Sequence, residues 1–469
     1  MLASSSQNTS SPWKVFWLTS VAVFLVSIDA TILFISFGAI QKTFPHATSA
    51  HLSWVLNAYS IMYAALLVPA GRLADMHGDR KIFLFGVTIF IFASALCGLS
   101  PSSEMLIAAR ALQAVGAALL TPSSLSLVLA AFPPAKRPVA VALWGAVAAL
   151  AGAVGPSTGA FIVDHFGWQY AFYVNVPIGL ISIVRGLSAL REHRTGEPAV
   201  APDIFGIFLL ISGVGLLSLG VVQSGEWGAL DMKTVSAVLT GALLLLAFIS
   251  WSGKSKAPAL DLTLFRSANF SYVNLATFCF GITFTTMFFG FFFFLTKIWG
   301  YSLSLSGLAV SPGPLLVIPV AIISGKFAAR LGHRVSLVLG GFVFAGGAMW
   351  LFIGAGPSPQ FLSVWLPGML LTGLGVGLTL PSLSGAAVHG LPGNRLGVGI
   401  AVNTAIRQMG SVFGVAATVL MVGGKNVDLP HFQTLFALLV LGGVLTSVCC
   451  LAVDTRPAAR TAGAQPSRA

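Results

Sequence analysis

Apolar runs long enough to cross a bilayer recur fourteen times along the 469-residue chain, and no other feature constrains its fold as tightly. A hydrocarbon layer about 30 Å thick is crossed by roughly 20 residues of helix. By that rule spans fall near 14–38, 51–74, 80–99, 103–132, 138–163, 168–190, 203–223 and 232–252. Six more fall near 270–297, 303–328, 334–355, 359–388, 396–424 and 431–453. Only 8% of residues are charged, against roughly 25% in soluble domains. So few ionisable groups cannot cover several globular surfaces, whereas a lipid-facing surface needs none. The expected fold class is an all-α integral membrane protein.

Lys and Arg orient the spans. One set of loops holds Arg72, Arg80, Lys81, Lys136, Arg137, Arg191, Arg194, Lys254, Lys256, Arg266, Lys326, Arg330, Arg334, Arg395, Arg456 and Arg460. The opposite loops hold only Lys42, Lys233, Lys297 and Lys425, mixed with Glu104, Asp164, Glu226, Asp231 and Asp428. The asymmetry predicts cytoplasmic termini and an even helix count. The net charge of +12 is scattered in short clusters between apolar runs, so it does not form the basic face that nucleic acid would need. The four cysteines lie inside apolar runs with no metal or disulfide spacing. The first apolar run is too long for a signal peptide and has no small-residue cleavage site, so it reads as a retained helix.

The two ends of the chain echo each other. Gly71-Arg-Leu-Ala-Asp75-Met-His-Gly78 closes the second span, and Gly325-Lys-Phe-Ala-Ala-Arg-Leu-Gly332 closes the tenth, 254 residues later. Gly116 with Pro122-Ser123 matches Gly375 with Pro381-Ser382, the glycines 259 residues apart. A six-helix unit used twice, with two helices inserted between the copies, fits both offsets. Parallel halves of this kind surround a central path in transporters. The expected division is a polar N-terminus (1–13), a first bundle (14–190), a linker with two spans (191–269), a second bundle (270–453) and a disordered tail (454–469).

These motifs resemble the major facilitator superfamily, in its fourteen-helix drug:proton antiporter branch of the EmrB/QacA type. The resemblance covers about residues 14–455. Gly71, Asp75, Gly78 and Arg80 resemble the signature loop between helices two and three, which the family uses to hold one state of its alternating-access cycle. Met76 and Asp79 depart from its basic positions. Arg110-Ala-Leu-Gln113-Ala-Val-Gly116 resembles the fourth-helix motif tied to proton coupling. Gly152, Gly155, Pro156 and Gly159 resemble the fifth-helix motif of antiporters, and this favours export over uptake. Trp54, Tyr59, Trp168, Asn175 with Pro177, Asp261, and Asn403 with Arg407 and Gln408 also fit the branch. The resemblance implies export of small amphipathic organic compounds in exchange for protons, across the inner membrane of a bacterium.

Of the 13 acidic residues, only Asp29 falls in the middle of a span. At 1.5 Å per residue it lies about 22 Å along the helix from Lys14. Arg110 lies roughly 12 Å in from the opposite end of span four, at comparable depth. Ions buried in a bilayer pair with one another or line water-filled cavities. A carboxyl set between desolvation and a nearby guanidinium is suited to loading and releasing a proton. Asp29 is therefore the candidate proton carrier and Arg110 its modulator; a static pair that only fixes helix packing is the competing reading. Arg407 is the other charge at mid-membrane depth, a candidate to bind an anionic group, balance Asp29, or cap carbonyls of a neighbouring helix. Tyr59, Gln113, Asn403 and Arg407 form the candidate substrate cavity. Phe288-Phe289-Gly-Phe291-Phe292-Phe293-Phe294 reads mostly as lipid-facing or inter-helix packing. No histidine sits in a span interior, no metal cluster appears, and no phosphate-binding loop is present. The expectation is therefore no cofactor, no metal and no enzyme, and the short outer loops, with no docking domain, lead to the expectation of a monomer. A proton-coupled importer and a non-transporting receptor are the alternatives.

Overall fold

The computed structural model describes residues 11–133, 136–192, 201–256, 258–392, 395–424 and 427–455. The segments 1–10 and 456–469, and with them Arg456 and Arg460, lie outside the described residues, as do Arg194 and Lys425. Fourteen helices are long and apolar enough to span: α1 Pro12–Thr43, α2 Ser49–His77, α3 Asp79–Gly98, α4 Ser103–Ala131, α5 Val139–Phe166, α6 Tyr170–Ala189 and α7 Ile204–Trp227. The others are α8 Met232–Ser252, α9 Ala268–Lys297, α10 Leu303–Ala328, α11 His333–Gly354, α12 Phe361–Ala387, α13 Leu396–Val422 and α14 Leu429–Leu451. Each sequence-derived span has its helix, and no strand occurs among the described residues. The clearest difference is α1, which runs on to Thr43 past the polar residues Gln41 and Lys42. That last turn is held from outside the span, Gln41 donating to Ser49 at 2.8 Å and Trp168 Nε1 to Thr43 Oγ1 at 2.9 Å.

Several helices are broken near one end of the bundle, the end opposite Arg80 and Arg137. Ser53 interrupts α2, Val174 interrupts α6, and Ser311 interrupts α10 just before Pro312. Proline has no N–H for the turn before it, which accounts for the last break. α12 starts on a π-helical turn, Phe361–Trp365.

Helix contacts reproduce the sequence repeat. In the first half α4 crosses α3 where a Cβ on Gly116 would stand 2.6 Å from Phe90 N, and one on Gly86 3.1 Å from Gly116 O. In the second half a Cβ on Gly375 would stand 2.6 Å from Phe344 N, and one on Gly340 3.2 Å from Gly375 O. Gly86 and Gly340, like Phe90 and Phe344, are 254 residues apart. Only residues without a side chain let these backbones touch. Gly78 and Gly332 both turn the chain at positive φ, 100° and 80°, a region where a Cβ is strained.

The halves meet along three helix pairs: α1 on α9, α2 on α13, and α5 on α10. The inserted pair α7–α8 lies outside this seam, with α7 packed on both α2 and α13. Asn57 donates to Ser218 at 3.2 Å, and Val222 clusters with Ala50 and Ala416. At the base of α7, Asp203 accepts from Gly206 N and Trp251 Nε1, each at 2.9 Å. Burial pushes its carboxyl up, but these donors, Ser255 and the charge of Arg72 hold it below the ordinary value.

Contacts between the halves gather at the end opposite the basic loops. Ser304 donates to Asp164 at 2.6 Å. Ser49 donates to Gly423 O at 2.7 Å and accepts from Gln41. Gly307 of α10 rides against Pro156 O and Ala160 of α5. Phe37 meets Phe289 and Phe293 edge-on at 5.0 and 5.9 Å. The aromatic run of α9 is buried throughout: its rings pack between helices, against α1 on one side and Trp365 and Phe436 on the other. None of it faces lipid. Lower in the bundle α4 packs on α1–α3 and α5, and α12 on α9–α11 and α13.

Candidate functional site

Five helices of the first half converge on Asp29. Arg110 stands two turns into α4, whose start is fixed by Ser102 accepting from Met105 N at 3.3 Å. Gln113, three residues on, projects from the same face. Arg110 Nη1 donates to Asp29 Oδ2 at 2.6 Å and also to Gln113 Oε1, while its Nε donates to Val55 O of α2 at 3.1 Å. Gln113 Nε2 donates to Asp29 Oδ1 at 2.9 Å and to Ser94 of α3 at 2.8 Å. Asn175 Nδ2, opening the main part of α6, reaches Asp29 Oδ1 at 3.2 Å. The guanidinium lies 4.1 Å from the Tyr59 ring centroid, a cation–π distance.

Both members of the ion pair have side chains only 1% exposed. Asp29 accepts from three side chains, which suits a carboxylate. A protonated Asp29 would turn one oxygen into a donor and lose part of that set. Ser94 and Asn175 complete the site without having been singled out as site residues in the sequence. Asn175 carried a motif signal; Ser94, a lone serine in an apolar helix, carried none. Tyr59 Oη and Asn175 Oδ1 are buried beside the pair without a protein hydrogen-bond partner.

The remaining candidate residues fall in three places. Around the α2–α3 turn, Arg80 Nη2 donates to Leu187 O at the end of α6, 2.6 Å away. The buried Asp79 accepts from Ser126 at 2.6 Å, and Arg72 lies in the field of Asp261, Asp203 and Asp75. A Cβ on Gly71 would meet only Pro122, at 3.7 Å. In α5, Gly155 and Gly159 face Thr31 and Ile32 of α1, whereas Gly152 faces open space. Pro156 sits at the α10 crossing. In the second half, Asn403 donates to Asn274 Oδ1 and Thr277 Oγ1 at 3.0 and 2.8 Å. Arg407 is half-buried on α13, within electrostatic reach of Tyr63 on α2. It does not join the Asp29 network, so the four cavity candidates divide between two places. Among the described residues there is no group of three or more His, Cys, Asp and Glu able to hold a metal.

Fourteen spans in two repeated halves around a seam, with an ion pair buried in one half, define a polytopic membrane protein with the architecture of a transporter. A family model described as the Major Facilitator Superfamily matches residues 19–415. "Multidrug resistance protein Stp" of Mycobacterium tuberculosis is 32% identical over 406 residues, covering 85% of this chain and 73% of that protein. "Tetracenomycin C resistance and export protein" of Streptomyces glaucescens is 30% identical, covering 89% and 77%. "Multidrug export protein EmrB" of Escherichia coli is 29% identical, covering 86% and 78%. Among solved structures, the partially occluded inward-open conformation of the xylose transporter XylE from E. coli shares the fold, with a TM-score of 0.64 at 12% identity. That match covers 94% of this chain and 98% of XylE. The chain belongs to the Major Facilitator Superfamily, in its fourteen-helix branch.

Proposed function

We propose that this protein is a multidrug exporter that exchanges protons for small lipophilic organic compounds by alternating access. The observation that carries the reading is the buried Asp29–Arg110–Gln113–Asn175 network. It places the one mid-span acid where a change of helix packing would alter its partners. Relatives named for multidrug resistance, multidrug export, and tetracenomycin C resistance and export support the direction of transport.

The excess of Lys and Arg supports assigning the basic end, and both termini, to the cytoplasm of an inner membrane. On that orientation the halves are latched on the outer side, at Asp164–Ser304 and Ser49–Gly423, and this is the state that loads substrate from within. In this reading Asp29, which accepts from three side chains here, has given its proton to the cytoplasm. Opening the outer side would let Asp29 take a proton, weaken its hold on Arg110, and release the substrate outward. The α2–α3 turn, through Arg80 and Leu187 O, holds the inner ends of α3 and α6 together during the cycle. The glycines of α5 let that helix rock closely against α1. The two six-helix halves move as bodies, with α7–α8 riding on the α2–α13 side, and one chain suffices.

Inverted vesicles loaded with a pH-sensitive dye and given an inside-acid gradient test the proposal. Lipophilic compounds that are exported should collapse the gradient with wild type and not with Asp29→Asn. Compound uptake without proton movement would refute proton exchange.

A further inference from the structure

Arg407 is a cation at membrane depth that the Asp29 network leaves unused. Its side chain makes no hydrogen bond or ion pair with any described residue, whereas the only mid-span acid is fully engaged with Arg110. The interior therefore carries one spare positive charge, and a lone guanidinium at this depth must border water or an anion. Arg407 is not isolated on its helix. Thr404, Arg407, Gln408 and Ser411 follow the i, i+3, i+4, i+7 spacing of one helical face, and all four are half-buried. The adjoining face, Asn403, Gly410 and Gly414, is locked to α9 through Asn274, Phe278 O and Ile282 O. Arg407 borders that contact, its backbone O standing against Gly281 of α9, while Thr404, Gln408 and Ser411 lie further round α13, which packs across the seam on α2, the helix of Tyr63. About one turn nearer the latched end, the half-buried rings of Phe34 and Phe284 both meet Phe288, at 6.2 and 5.6 Å.

Resting on the exporter reading, we infer that Arg407, with the α13 polar stripe and the Phe34–Phe284–Phe288 ceiling, is the recognition site for an amphipathic organic anion with a flat aromatic body. A guanidinium offers several N–H donors in a plane that matches carboxylate, sulfonate or phenolate oxygens. The aromatic ceiling accepts the apolar body. Permanent cations are disfavoured, because no free acid stands at this depth to receive them.

The test uses the full chain in nanodiscs and one fluorophore in three charge forms: dansylglycine (anion), dansylamide (neutral) and dansylcholine (cation). Dansylglycine should bind at least about tenfold more tightly than dansylcholine, since a hydrogen bond to a charged group is worth roughly that factor or more. Arg407→Gln should abolish the preference, and Arg407→Lys should keep part of it. Equal thermal unfolding of the two variants separates lost recognition from lost fold. Dansylcholine binding as tightly as dansylglycine, an order unchanged in Arg407→Gln, or no binding by any of the three would overturn the inference. Dye-reported proton movement in vesicles fails or survives independently. Proton exchange with neutral compounds but no anion preference sinks this inference alone, and anion preference without proton movement sinks the exporter reading alone.

Discussion

Removing one member of the Asp29–Arg110 pair should destabilise the protein more than removing both. Asp29→Asn strands a guanidinium whose side chain is 1% exposed and which cannot shed its proton. Tyr59 and Val55 O still hold it, but no second acid is within its hydrogen-bond set. Breaking one side of a buried pair costs about 3–5 kcal/mol, and this variant should fall in that range. Arg110→Met is milder, about 1–3 kcal/mol, because Asp29 keeps Gln113 and Asn175 as donors and can neutralise itself by taking a proton. The double variant Asp29→Asn/Arg110→Met leaves no buried charge, and an apolar side chain of similar length fills the space. It should lie within about 1 kcal/mol of wild type, as other buried pairs do when both partners are replaced. Unfolding of purified protein in mixed micelles of mild and denaturing detergent gives the four stabilities of the cycle. A double variant whose loss equals the sum of the two single losses would show that the residues do not depend on each other, and the buried-pair description would be wrong.

Two further outcomes follow from packing. Gly116→Ala sets a methyl 2.6 Å from Phe90 N, an overpacking loss of about 1–3 kcal/mol, whereas Gly152→Ala meets nothing within 4 Å and gains up to about 1 kcal/mol of helix propensity; equal stabilities of the two variants would contradict the α3–α4 contact. Cysteines at Asp164 and Ser304, whose native side chains touch at 2.6 Å, should form a disulfide on oxidation, stop export and recover with reductant. Undiminished export by the oxidised form would show that the halves do not part at that end.

Much of the fold was legible because a bilayer leaves few choices. Apolar runs must be helices, so the fourteen spans could be counted, and loop charge could be sorted into two sets. Gly78 and Gly116 marked the repeat because a turn at positive φ and a close backbone contact each favour glycine, and the same geometry recurs at Gly332 and Gly375. Asp29 and Arg110 stood out because charges at mid-membrane depth are scarce, and equal depth along two helices brought them within reach of each other. What stayed hidden depends on helix rotation and crossing. Nothing in spacing told that Gly155 and Gly159 touch α1 while Gly152 does not. Ser94 looked like any small residue in an apolar helix, and its value comes from where α3 meets Gln113. Gln113 and Tyr59 looked like cavity residues, yet in this state both are turned into the Asp29 network. The phenylalanine run of α9 gave no sign of its burial, which depends on α1, α12 and α14 surrounding it. Arg407 was visible as a charge, but the absence of a hydrogen-bond or ion-pair partner for it among the described residues was not.

The most direct test of proton exchange is substrate-evoked proton release from purified protein in weakly buffered detergent, followed with a pH indicator. Adding a transported compound to wild type should release up to one proton per chain as Asp29 gives up its proton to the state described here. The release should vanish in Asp29→Asn while the compound still binds. Equal release from the variant, or binding without release at any pH, would contradict Asp29 as the proton carrier.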